Sequence, residues 1–314
     1  MDKCNNQSMD YSDISSEKSS NSEAVPVDKI VQDVLIDIEK TWLKNRDTSQ
    51  SLKTGFDKLD EMLGGITAPE LILLASTRHM GKTAFALNMV KEIAFEQNRS
   101  VLYFSLDHSK EKLISRLLCL EATVSHRRIR TGCLRDSDWK NLIEASSTIG
   151  KSNLIVDDTK MSSWRDLLKK CKQYSESNDL ELIVIDDFQH IMEGEYCSEE
   201  EKEQAYTEAI KRIKENAWMF NVPIVILSQL PEIVDIRPEH RPVVSDLNEY
   251  GELSQHVDKI MLLYRDDFYK GEYFSGVTEI EVVKPSGCEG TINLLWSPTI
   301  GKYMTCYVND TVEQ

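Results

Sequence analysis

Short, unbroken apolar runs alternate along this chain with longer stretches in which apolar residues return every third or fourth position. The first pattern is that of strands buried on both faces, and the second is that of amphipathic helices. The first run, Leu71-Ile72-Leu73-Leu74-Ala75, predicts a strand. Further strands are predicted over residues 101–106, 154–156, 182–186 and 222–229, and three more near 259–264, 279–283 and 292–296. Between them, Phe85, Met89, Val90 and Ile93 fall at helical spacing. Helices are also predicted over residues 110–122, over 136–149 with Asp136 as cap, and from Ser163, where Asp166 completes a capping box. A last long helix ends at Phe220, and the acid-rich residues 193–203 before it read as a solvated loop. This alternation predicts an α/β fold, a mainly parallel sheet with helices on both faces. The final strands, joined by short turns, are expected as antiparallel additions.

The amino-terminal part has a different texture. Residues 1–26 are polar and poor in aliphatics, which predicts a disordered tail. In residues 27–46, Ile30, Val31, Val34, Leu35, Ile38 and Trp42 form one helical stripe, with Asp28 as a cap behind Pro26. A polar hinge, residues 45–51, follows, so the stripe needs a cover beyond it. Its own domain and a neighbouring subunit both remain open. The expected division is a tail (1–26), a linker helix with hinge (27–50) and one large domain (51–314).

The 314 residues, 40% of them hydrophobic, suffice for a sizeable core. A net charge of -16 argues against a broad basic surface that coats DNA, and leaves room for a narrow basic channel. The 7 cysteines include no Cys-x-x-Cys pair, which disfavours a structural zinc or redox pair and suits a reducing cytosol. No signal-like apolar stretch opens the chain and no apolar run is long enough to span a bilayer, so a cytoplasmic protein is expected.

The chemistry gathers where the first strand ends. Ser76-Thr77-Arg78-His79-Met80-Gly81-Lys82-Thr83-Ala84 reads as a phosphate-binding loop between strand and helix. Backbone N–H groups at the helix start, around Met80, Gly81 and Ala84, face a phosphate, and the helix dipole favours its charge. Lys82 supplies a point charge to the β- and γ-phosphates, and the Thr83 hydroxyl can ligate Mg²⁺. His79 is expected to space the turn. Ser76 stands where the general pattern asks for Gly. The run Leu182-Ile183-Val184-Ile185-Asp186-Asp187 is the second element: a strand ending in an acid at the sheet edge where ligands bind. Asp186 is the expected metal ligand, and Asp187 is expected to pack against or cap the next segment.

Several segments together resemble the motor domain of the DnaB-type replicative helicases, a RecA-like fold, from about Thr54 to the carboxyl terminus. They are Thr54-Gly55-Phe56-Asp57, Met80 to Asn88, Phe104-Ser105-Leu106, Ile129-Arg130-Thr131-Gly132 and Ile183-Val184-Ile185-Asp186. Leu227-Ser228-Gln229-Leu230, Arg241-Pro242, Ser245-Asp246-Leu247 and Tyr264-Arg265-Asp266-Asp267 complete the set. The 27–46 helix resembles that family's linker helix, and the family often begins its phosphate loop with Ala, which accommodates Ser76.

The resemblance implies an ATP- and Mg²⁺-dependent helicase acting on single-stranded DNA in replication, working as a homo-oligomeric ring, expected as a hexamer. It places Asp107 as the general base, in a position where the family has Glu, one methylene longer. It makes Gln229 the sensor of the γ-phosphate, with Gln189 near the site, and puts Arg265 among the nucleotide contacts. The family reaches into the neighbour's ATP with a Lys and, two residues on, an Arg. Here Lys284 is present but the Arg position is Ser286, in a turn that looks one residue shorter. The DNA-facing Arg-Glu-Ser-Gly of the family reads Asn248-Glu249-Tyr250-Gly251, with Glu249 and Gly251 kept and a cation lost at Asn248. The family's amino-terminal helical domain, where primase docks, has no counterpart in these residues. Weak DNA binding and reduced turnover are therefore expected. The alternative is a motor-defective, ATP-binding relative that serves as a regulator or as a subunit in a mixed ring with a complete helicase.

Overall fold

The structure is a computed structural model. It describes residues 27, 31, 32, 35, 51–192, 196, 198–251, 253–270, 275–284 and 287–306, without the side chains of 249, 250 and 287–289. Of the predicted amino-terminal helix, Val27, Val31, Gln32 and Leu35 are described; all four are helical, and the three apolar side chains are exposed. The other stripe residues, the Asp28 cap, the hinge up to Gln50 and the tail lie outside the described residues.

Within Ser51–Gln314 the chain builds a nine-stranded sheet, β3-β2-β4-β5-β1-β6-β7-β8-β9. A short helix, α1 (Asp57–Leu63), precedes β1 (Leu71–Ser76). Next come α2 (Lys82–Lys91), with a π-helical turn at Glu92–Glu96, β2 (Val101–Ser105), α3 (Lys110–Ala122) and α4 (His126–Thr131). They lead through α5 (Asp136–Lys151), β3 (Leu154–Asp157) and α6 (Trp164–Ser177) to β4 (Leu182–Asp186), α7 (Glu199–Phe220) and β5 (Ile224–Gln229). The last strands are β6 (Lys259–Tyr264), β7 (Val277–Lys284), β8 (Gly287–Ser297) and β9 (Lys302–Thr305). β3, β2, β4, β5, β1 and β6 run parallel, and β7 to β9 are antiparallel.

The inner strands are apolar through their middles, with polar residues kept to their ends, because both of their faces are covered. Ile72, Leu74, Val184, Val225 and Leu227 point to one layer, where Phe85 and Met89 of α2 and Ile93 of the π-helical turn after it meet them. Leu71, Leu73, Ile183, Ile185, Ile224 and Ile226 point to the other, against Ile210, Ile213 and Ala217 of α7. This alternation, with helices on each side, is the expected α/β architecture.

Four local features differ from the sequence reading. β9 is an additional strand, a short one that the composition around Lys302 conceals. α1 forms where the sequence suggested only a lead-in to β1. Asp136 is not the cap of α5: Arg135 holds that place, and its backbone N–H donates to Asp138 Oδ2 at 3.0 Å. The stretch expected to be a loop up to Glu203 is helical from Glu199, because Ser198 Oγ accepts from the Glu201 N–H and three acids suit the positive end of α7. Ser163 caps α6 as expected, its Oγ accepting from the Asp166 N–H at 3.4 Å, and it meets the Asp166 carboxylate side chain to side chain, Oγ donating to Oδ2 at 3.0 Å, in place of the reciprocal backbone bond of a capping box. No helix among the described residues is long and apolar enough to cross a membrane.

Candidate active site

The parallel register aligns the carboxyl ends of the strands. Ser76 lies opposite Gln229, and Ser105 opposite Asp186. From buried Ser76 the chain turns through residues 77–81 into α2. Gly81 sits at φ +106°, and a Cβ there would come within 2.4 Å of the Tyr303 hydroxyl. Glycine alone satisfies both the angle and the close approach. Tyr303 O–H donates to the Met80 carbonyl at 3.4 Å. Asn88 Nδ2 donates to the carbonyls of Ala84 (2.8 Å) and Gly301 (2.9 Å), and Asn88 Oδ1 accepts from Tyr303 N–H (3.0 Å). The last strand thus braces the loop from behind. His79, at φ +64°, serves the turn, as expected of a spacer. No acid lies in the first turn of α2, so the positive end of its dipole is left uncompensated by the helix itself and suits an anion.

Lys82 Nζ reaches the Ser76 carbonyl at 3.4 Å, which folds the side chain over the loop. Burial pushes its ammonium pKa down, against the upward pull of Asp187, Asp186 and Asp107. At the end of β4, buried Asp186 accepts from Thr83 Oγ1 (3.2 Å) and from Tyr103 O–H (2.7 Å). Burial pushes its carboxyl up to about 6 despite those two donors and Lys82. Asp187 is also pushed up by burial, with Lys82 opposing, and its carboxylate caps the turn Phe188–Ile191 through the Gln189 N–H.

A cation fits this arrangement. A buried carboxylate stands beside a hydroxyl at the sheet edge, and the acids around it outnumber the one ammonium. Among the described residues, no group of three or more His, Cys, Asp or Glu side chains could hold a metal by itself. Mg²⁺ takes one or two protein oxygens and completes its shell with phosphate oxygens and water. Thr83 and Asp186 are the residues that could hold it.

Asp107 lies two residues past β2 on the same edge. Its Oδ2 is 3.0 Å from His108 Nδ1 and its Oδ1 is 3.6 Å from His190 Nε2. Gln189 locks β4 to β5: its Nε2 donates to Ser228 Oγ (2.6 Å) and the Gln229 carbonyl (2.9 Å), and its Oε1 accepts from the Gln229 N–H (3.0 Å). Arg265 follows β6 on this edge too, buried and 3.2 Å from Asp267 Oδ1.

Two groups of expected site residues lie elsewhere. Val283 pairs with Ile260, which pairs with Leu73, so Lys284 is level with Ile72 at the opposite edge of the sheet. That is about 13 Å from Ser76 along the strand direction. Lys284 therefore does not serve its own chain's loop, and Ser286 lies outside the described residues. Asn248 and Glu249 are on the 3₁₀ turn Val244–Tyr250, with Asn248 exposed and its Oδ1 accepting from Ser254 Oγ at 3.2 Å. Gly251, next in line, packs so closely on α7 that a Cβ would fall 2.6 Å from the Glu203 carbonyl. The nearby cations are paired: Arg237 with Asp246, and Arg241 with Glu279 at 2.6 and 2.9 Å.

Sequence reasoning passed over Tyr103, Asn88, Tyr303, His108, His190 and Ser228. Tyr103 carried a usable signal, a polar-tipped ring inside a wholly apolar run, which needs a buried partner.

A strand–loop–helix on the central strand, with an acid-ended strand two places away, defines a RecA-like phosphate-loop fold. The model of the DnaB-like helicase C terminal domain matches residues 51–305, and the chain belongs to that family. It is 34% identical over 281 residues to the replicative DNA helicase DnaB of Geobacillus stearothermophilus, covering 88% of this chain and 62% of that protein. It is 33% identical over 280 residues to the replicative DNA helicase DnaC of Bacillus subtilis (strain 168), covering 87% and 61%. The chain thus spans about three fifths of the length of these relatives. Two solved structures superpose with TM-scores of 0.77 at 27% identity over 90% of this chain. One is an isolated ATPase domain, matched over its whole length; the other, matched over 68%, is a DnaB-like replicative helicase described with its interactions with primase.

Proposed function

We propose that this chain is the ATP-driven motor of a ring-forming replicative DNA helicase, working on single-stranded DNA in the cytoplasm. The observation that carries the reading is the contact of Thr83 Oγ1 with Asp186 at 3.2 Å, which joins the phosphate loop to the acid-ended strand. Lys82 and the first-turn N–H groups of α2 bind the phosphates of ATP. Thr83 and Asp186 hold Mg²⁺, which neutralises phosphate charge when bound. Asp107 takes the proton of the attacking water, and Gln229, fixed through Gln189, senses the γ-phosphate. Residues 51–314 form the motor, and the exposed apolar side chains at Val27, Val31 and Leu35 belong to a linker helix that docks on a neighbouring subunit.

The position of Lys284 at the far edge of the sheet supports a role in the next subunit's site. Its ammonium offers one point charge and no planar fork, and position 286 is Ser. An arginine finger is worth about 10³ to 10⁵ in rate in related hydrolases, so slow turnover follows. The paired Arg237 and Arg241, and Asn248 in the turn, support weak binding of single-stranded DNA.

The test is ATP hydrolysis with and without single-stranded DNA, on protein whose oligomeric state has been measured, beside Lys82→Ala. DNA-stimulated hydrolysis that disappears in the variant is expected. Turnover unchanged by Lys82→Ala would remove the site assignment.

A further inference from the structure

We propose that His108 and His190 are positioning residues for Asp107: two imidazoles, brought from two different strand ends, engage one carboxylate oxygen each and aim the carboxylate at the attacking water. The proposal rests on the hydrolytic reading above.

An Asp in this position is short and half-exposed. Left alone, its carboxylate would rotate between rotamers, and a misplaced base on the order of 1 Å costs about a hundredfold in rate. The structure supplies what fixes it. His108 Nδ1 is 3.0 Å from Oδ2, and His190 Nε2 is 3.6 Å from Oδ1, an approach slightly longer than a hydrogen bond. Lys112 Nζ also approaches His108 Nδ1, at 3.5 Å. A carboxylate only accepts and an ammonium only donates, so one nitrogen cannot serve both. In this proposal Nδ1 carries the proton and turns it toward Asp107, the nearer of the two groups.

Both imidazoles stand on rigid supports. Ser105 O–H donates to the His108 carbonyl at 2.6 Å, which sets the turn after β2. His190 rides on the turn Phe188–Ile191, capped by Asp187 and pinned to β5 by Gln189 next door. The same turn therefore carries the second imidazole and the bonds that hold the Gln229 backbone. Lys82 and Asp187 act on Asp107 from the loop and from β4, and Arg116 and Lys112 act on His108 from α3. The carboxylate thus lies within the charge cluster of the phosphate loop.

The chemistry asked of Asp107 is ordinary. A water oxygen bonds to the γ-phosphorus, the bond from that phosphorus to the bridging oxygen breaks and releases ADP, and the water's proton passes to the Asp107 carboxylate. The imidazoles take no proton in this step; they hold the acceptor in line.

The experiment uses the full chain with single-stranded DNA present. His108→Ala with His190→Ala is compared with His108→Asn plus His190→Gln, whose amide nitrogens reproduce Nδ1 and Nε2. The alanine pair is expected to lower kcat about tenfold to a hundredfold. KM and the affinity for a fluorescent ATP analogue should stay within about twofold, and the amide pair should recover kcat to within about threefold of the unmodified chain. An alanine pair with unchanged kcat overturns the proposal. So does loss of analogue binding together with kcat, or an amide pair as slow as the alanine pair. An unmodified chain with no turnover at all overturns the hydrolytic reading and, with it, the task given to Asp107. That outcome is distinct, because it shows in the parent protein before any histidine is changed.

Discussion

Replacing Asp186 by Asn should make the protein more stable and less able to bind Mg-ATP. The carboxyl is buried, and its pKa is raised from 3.8 to about 6 by that burial. A group with a raised folded-state pKa binds more protons in the native state, so its contribution to stability is lost as pH rises through the window from 3.8 to about 6. The shift corresponds to a penalty of about 3 kcal/mol at pH 8, falling to about 1 kcal/mol at pH 4.5. The amide removes the charge and keeps the shape. It still faces Tyr103 and Thr83, with the loss of about 1 kcal/mol for a weaker hydrogen bond. The net expectation is a gain of about 1 to 2 kcal/mol at pH 8, or roughly 2–8 °C in melting temperature for a domain of this size. Little or no gain should remain at pH 4.5. Thermal melts of both proteins in EDTA at the two pH values give the answer, since every other titrating group is common to them. Binding of a fluorescent ATP analogue with Mg²⁺ should fall in parallel. An Asn variant less stable than the parent at pH 8, or a gain that does not shrink in acid, would refute the reasoning.

Three further outcomes are expected. Gly81→Ala, at φ +106° and against the Tyr303 hydroxyl, should cost about 1–3 kcal/mol of stability and most nucleotide affinity; adding Tyr303→Phe should return part of the loss in a melt. Removal of residues 1–50 should lower the oligomer mass measured by light scattering, and a truncated chain that assembles like the full one would dismiss the docking of the linker helix. Asn248→Arg should tighten single-strand binding and steepen its dependence on log salt concentration by about one, as one more phosphate is neutralised.

Much of the fold's layout could be read from the chain because its signals are local. Apolar runs made the parallel strands visible, and the acid at the end of β4 marked the sheet edge that carries the chemistry. The loop's turn residue and its Lys-Thr pair were equally plain. What stayed hidden depends on distant partners. Tyr303 matters only because it meets Met80 and Asn88, more than 200 residues earlier. The pairing of Asp107 with His190 joins two strand ends that nothing in the sequence brings together. Small residues misled for a similar reason. Arg135 displaced Asp136 as the α5 cap because the carboxylate that closes the turn sits at Asp138. The short strand β9 offers too few apolar residues to rise above its surroundings.

The brace between the last strand and the phosphate loop also fixes an order in time. A ribosome makes the central strand β1 early, yet its neighbours β5 and β6 and the Asn88–Tyr303 tie come much later. The residues of that tie are 215 positions apart. At about 5–20 residues per second, roughly 10 to 45 s pass between translation of Asn88 and arrival of its partner. Throughout that interval Leu71, Leu73 and Leu74 must be shielded by something other than their final neighbours, and Gly81 has no tyrosine beneath it. A growing chain therefore acquires its grip on nucleotide late in its own synthesis.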